Sequence, residues 1–75
     1  MKYLTSQPEV GKKYRIELNG TEIYDATVIE HEGGCWAKIR VDNVLPGEYA
    51  GFYSNGQEFD LKLSRYNLLE FDTQQ

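Results

Sequence analysis

The sequence predicts an all-β fold: a single small barrel of five to six short antiparallel strands, with a 3₁₀ turn before the last strand. Three observations predict it. Apolar residues recur at every second position, the period of a strand, rather than every third or fourth. Two Asn-Gly pairs and one Gly-Gly pair interrupt those runs. Two-residue hairpin turns need such residues because they hold the chain at positive φ. No stretch keeps a helical period for more than a turn, and none is of low complexity.

The elements follow in order. Residues 1–9 form a partly ordered N-terminal segment ahead of a barrel domain over 10–72. The first strand runs from about Val10 to Leu18. It sets Tyr14, Ile16 and Leu18 on one face and Lys13, Arg15 and Glu17 on the other. Asn19-Gly20 turns the chain into a long strand from Thr21 to Glu32. That hairpin pairs Ile16 with Ile23, but it also sets Glu17 against Glu22, an unfavourable like-charge pair.

Gly33-Gly34 leads into a third strand, Cys35 to about Asp42. Its register pairs Glu30 with Ala37, Val28 with Ile39, and Ala26 with Val41. Ile23 must then face inward together with Ala26 and Val28, which a regular strand cannot do. A bulge near Tyr24-Asp25 resolves the conflict. Asp42 to Gly47 reads as a loop, and a fourth strand spans about Glu48 to Ser54. Asn55-Gly56 closes a hairpin onto Gln57–Leu63. Phe52 then faces Phe59 on an apolar side, while Tyr49 and Tyr53 point outward beside Glu58 and Asp60. Ser64 to Asn67 suits one 3₁₀ turn, Leu68 to Asp72 a closing strand, and 73–75 a frayed end.

The totals limit the function classes. A chain of 75 residues is one domain. Its initial Met, without tag or secretory leader, suggests a complete small gene product in the cytoplasm. No apolar run reaches the length of a membrane span. One Cys forms no internal disulfide. The net charge of −4 disfavours general nucleic-acid binding, which depends on Lys and Arg displacing counterions from phosphates.

His31, Cys35 and Trp36 are the only residues of their kinds, and they cluster around the Gly-Gly pair with Glu30 and Glu32. The Gly-Gly register sends His31 and Cys35 to opposite faces. No metal-ligand set or Cys–His nucleophile pair then converges. The segment therefore reads as a tight turn, and no cofactor is expected. The same register groups Trp36, His31 and Ile29 on the outer face. Either the N-terminal segment covers them, or they form an exposed platform.

The closing stretch Phe59-Asp-Leu-Lys-Leu-Ser-Arg-Tyr-Asn-Leu-Leu-Glu-Phe71 resembles the end of SH3-like and Tudor-like barrels: a strand, a 3₁₀ turn and a strand. Val10 to Gly20, followed by Ala26-Thr-Val-Ile29, is similar to the first motif of Sm-like and Hfq-like proteins. The second Sm motif is missing, because Ile39-Arg40 is followed by Val41 rather than Gly. The paired Tyr motif and Trp-Trp dipeptide of peptide-binding SH3 domains are missing too. The resemblance therefore implies an SH3-like barrel architecture, which hosts many functions.

The expected function is a non-enzymatic protein-interaction module, binding a protein partner or a second copy of itself. Candidate binding residues are Trp36, His31, Tyr49 and Tyr53, with Lys38 and Arg40 beside them. The alternatives are nucleic-acid binding through Lys38, Arg40, Lys12, Lys13 and Arg15 with aromatic stacking, and an acidic imitation of nucleic acid that blocks a DNA-binding enzyme.

Overall fold

The computed structural model describes Met1 to Phe71, so the frayed end expected over 73–75 lies outside the described residues. Six strands form one antiparallel sheet: β1 (Lys2–Tyr3), β2 (Lys13–Leu18), β3 (Thr21–His31), β4 (Trp36–Val44), β5 (Glu58–Lys62) and β6 (Asn67–Glu70). Their spatial order is β1-β6-β2-β3-β4-β5. The all-β class and strand number are as the sequence predicts.

A flat sheet and its side chains are only about 10 Å thick. Here the smallest extent is 23 Å and the largest 30 Å, so the sheet curls around a single core. Tyr14 and Ile16 from β2, Val28 from β3, Ile39 and Val41 from β4, and Leu61 from β5 fill that core. Three irregularities in the ladders supply the bending. Ile23 is an extra residue between the Glu17–Glu22 and Ile16–Tyr24 pairs. Asp42 is extra between Ala26–Val41 and Asp25–Asn43, and Ile29 is extra between Val28–Ile39 and Glu30–Lys38. Each adds twist and redirects the side chains that follow. The bulge expected near Tyr24-Asp25 thus exists, centred one residue earlier, and Ile16 faces Tyr24 rather than Ile23. Ile23, Tyr24, Asp25 and Ala26 are consecutively buried, since β3 is covered on both sides at this bend.

The like-charge pair Glu17–Glu22 is present, and each carboxylate has its own partners. Arg15 takes Glu22 through Nη1 at 2.9 Å and Asp25 through Nε at 2.7 Å. Glu17 accepts from Tyr3 Oη at 2.9 Å and Asn67 Nδ2 at 2.8 Å. Glu17 is buried, not on the polar surface that alternation predicts, because the Tyr3 end of β1 closes over it. β1 pairs with β6 through Lys2–Glu70 and Tyr3–Leu69, so part of the N-terminal segment is a sheet edge.

The expected fourth strand is corrected. Residues 50–52 form a 3₁₀ helix, Ala50–Phe52. Ala50 N–H donates to the Gly47 carbonyl and Phe52 N–H to the Tyr49 carbonyl. This i→i+3 spacing rotates the side chains away from strand alternation. Tyr49 and Tyr53 pack on the core while Phe52 projects outward, 72% exposed. Asn55-Gly56 still makes a turn, with Gly56 at φ +89°, but it closes no hairpin. β5 pairs instead with β4: Ile39 with Phe59 and Ala37 with Leu61. Before β6, where a 3₁₀ turn is expected over 64–67, the chain instead makes a hydrogen-bonded turn in which Arg65 N–H donates to the Lys62 carbonyl at 3.0 Å, and the 3₁₀ element lies at 50–52.

Candidate functional site

The outer face of β4–β5 carries three cross-strand pairs: Trp36–Lys62, Lys38–Asp60 and Arg40–Glu58. Strand alternation sends Ala37, Ile39, Phe59 and Leu61 the other way, into or against the core. Trp36 opens β4 directly after the Gly-Gly bend, where few neighbours surround it, and is 53% exposed. The N-terminal segment does not cover it. Leu4, Ser6, Gln7 and Pro8 line a different concavity with Gly33, Gly34 and Cys35. The Lys62 ammonium lies 5.9 Å from the Trp36 ring centroid, within cation–π range.

Beside Trp36 runs a groove of about 430 Å³, lined also by Tyr53, Phe59, Leu61, Arg65 and Tyr66. Tyr53 does not point to solvent as alternation predicts. Its ring centroid lies 4.8 Å from that of buried Tyr24 and 5.9 Å from that of Phe59. Burial, and then the neighbouring Tyr66 hydroxyl, push the Tyr53 phenol above its ordinary pKa. Tyr24 is raised further, chiefly by burial, and its hydroxyl has no partner among the described residues. These phenols are therefore neutral at physiological pH and offer hydrogen bonds rather than charge. Tyr49 is half-buried against the core with its centroid 6.4 Å from that of Phe52, so it does not belong to this face.

His31 is displaced as well. The extra residue Ile29 puts His31 opposite Ala37 rather than Trp36. Its Nε2 donates to the Gly34 carbonyl at 2.9 Å, which ties the imidazole to its own turn. His31, Cys35, Glu30 and Glu32 rim one shallow depression with Trp36 and Lys38. Among the described residues no group of three or more His, Cys, Asp and Glu side chains is arranged to hold a metal ion.

The cations proposed for nucleic acid are mostly matched by carboxylates. Arg15 is held by Asp25 and Glu22, which keep its guanidinium firmly charged. Lys12 lies 3.7 Å from Glu70. Arg40 reaches Asp42 at 3.2 Å, and Lys38 sits across from Asp60. Lys13 is exposed opposite Thr27. The aromatic groove residues Phe59 and Tyr66, and the cations Lys62 and Arg65, escape sequence reasoning. Their alternation is legible, but it does not show that β5 has no second strand beside it among the described residues.

Comparison with known proteins places part of the chain. Over 37 residues, 49% of its length, it is 49% identical to elongation factor P of Parvibaculum lavamentivorans. Over 36 residues it is 47% identical to elongation factor P of Ruegeria pomeroyi, and over 33 residues 46% identical to that of Brucella abortus. The chain spans about a fifth of the length of these relatives, 20%, 19% and 18% respectively. No family model matches, and no solved structure gives a significant match. Among the described residues no helix is long and apolar enough to cross a membrane.

Proposed function

We propose that the chain is a non-catalytic binding module of the translation apparatus, and that it engages a protein surface through the β4–β5 face built on Trp36. The observation that carries this reading is an exposed Trp beside an aromatic groove, on a face where Lys38 and Arg40 already stand against Asp60 and Glu58. A large ring that is held in place and open to solvent is a common centre of protein–protein contact. The setting comes from the partial likeness to elongation factor P, since elongation takes place on the ribosome. A nucleic-acid backbone would have to displace Asp60, Glu58 and Asp42 from the cations it needs, on a chain of net charge −4.

One observation favours RNA as a second reading. Lys62 over Trp36, with Arg65 in the same groove, forms a small stacking platform with two cations. Cosedimentation with purified ribosomes across a salt series separates the two. Protein contact predicts a shallow salt response and binding weakened by about tenfold or more in Trp36→Ala. RNA contact predicts a steep linear fall of log affinity with log salt. An unchanged Trp36→Ala variant, or no cosedimentation at any salt, removes the reading.

A further inference from the structure

β5 ends the sheet: among the described residues it pairs with β4 on one side and with no strand on the other. The direction of its backbone groups follows from the ladder. Val41 N–H donates to the Gln57 carbonyl at 2.8 Å, and Leu63 N–H donates to the Cys35 carbonyl at 2.7 Å. Antiparallel bonding alternates along a strand. The odd residues between them, Phe59 and Leu61, therefore also address β4. Glu58, Asp60 and Lys62 turn their N–H and C=O groups toward the open edge. The groove beside Trp36 is lined by Phe59 and Leu61 but also by Asp60 and Lys62. Residues from both faces of one strand share a groove only where it follows the strand's edge.

We propose that this edge is completed by an extended segment of a protein partner in which Lys or Arg alternate with apolar residues. The inference rests on the protein-contact reading and names the partner's chemistry. A strand added antiparallel to β5 sets its own side chains beside Glu58 and Asp60 on the outer face, and cross-strand opposite charges are favourable there. Each of those carboxylates has a β4 cation on one side, Arg40 and Lys38. The added strand supplies the second. Its alternate residues turn to the groove side, where Tyr53 and Tyr66 offer ring surface. Backbone bonds provide the affinity and the alternating pockets the selectivity, as in strand addition generally. The competing role for edge charges is to repel such pairing, and the same experiment decides between the two.

The test uses the full chain and two capped hexapeptides, one alternating Lys and Val, the other Glu and Val. Amide shifts in a ¹⁵N titration and Trp36 fluorescence report binding. The expected result is that the Lys peptide moves the amides of Glu58, Asp60 and Lys62 while the Glu peptide does not. The Glu58→Lys/Asp60→Lys variant should reverse that preference, with about tenfold loss for the Lys peptide. N-methylation of the peptide should abolish binding at edge-facing positions and spare it at the others. If neither peptide moves these amides while Trp36→Ala still weakens ribosome cosedimentation, the edge inference falls and the protein-contact reading stands. If Trp36→Ala is also silent, both fall. If N-methylation is harmless at every position, the contact is not strand addition and the proposal is overturned.

Discussion

At the scale of single residues, Glu17 shows how a charge survives burial without a cation. Its carboxylate accepts hydrogen bonds from Asn67 first and Tyr3 second, and these hold its pKa below the usual Glu range against the opposing effect of burial. Hydrogen bonds to the charged form favour it. The folded pKa is depressed, so the stabilisation is present above the unfolded pKa and is lost as pH falls through the folded one. Glu17→Gln should therefore lower stability at neutral pH and flatten the acid limb of the stability profile. Urea denaturation at stepped pH checks this, and parallel profiles for variant and wild type would contradict it. The burial of Glu17 is not legible in its own strand. Alternation places it on the polar face, and only the arrival of Tyr3 from the other end of the chain covers it.

At the scale of elements, the turns divide into those that act by local backbone geometry and those that depend on distant partners. Asn19 and Gly20 sit at φ +50° and +86°, the left-handed pair that a two-residue hairpin demands. Gly20→Ala meets no atom within 4 Å, so its cost is purely conformational, about 1–2 kcal/mol. Gly34 has no such φ and equally open surroundings, so Gly34→Ala should change stability far less. Thermal unfolding of the two variants compares them, and equal losses would refute the turn argument. The 48–54 segment shows the other case. Its sequence alternates well enough for a strand, and Asn55-Gly56 offers a suitable turn. Yet Tyr49, Phe52 and Tyr53 also recur at spacings of three and four, and Gly51 interrupts the run, which weakens a strand. That competing signal is the one the structure follows. The register of β5 is then set by Gly56 and Gln57 bonding Val41 on β4, not by a hairpin with the 48–54 segment.

At the scale of the whole molecule, one curled sheet with no disulfide carries the stability. Domains of this length bury only roughly 60% of their unfolded surface, so the margin is thin. Ile39 is fully buried and lies between Val28 on β3 and Phe59 on β5. Ile39→Ala should cost about 2–5 kcal/mol, comparable with the total for so small a domain. Circular dichroism and proton spectra at room temperature should show loss of cooperative folding. A variant that keeps a sharp unfolding transition near the wild-type midpoint would mean the core extends beyond this sheet.

The sequence by itself determines the all-β class, the two hairpins bordering β3, the position of Trp36 directly after a glycine bend, and the conflict that forces a bulge in the long strand. These depend on local chain geometry and on the strict alternation of side chains along a strand, both readable within a few residues. Tertiary structure alone decides that β5 joins β4 as the edge of the sheet among the described residues, that Tyr53 turns inward against Tyr24, that His31 pairs with Ala37 rather than Trp36, and that β1 seals Glu17. Each depends on a one-residue shift or on a pairing between distant segments. A one-residue shift reverses which face every later side chain occupies, and its energy is settled by packing across the whole sheet rather than by any stretch of sequence alone.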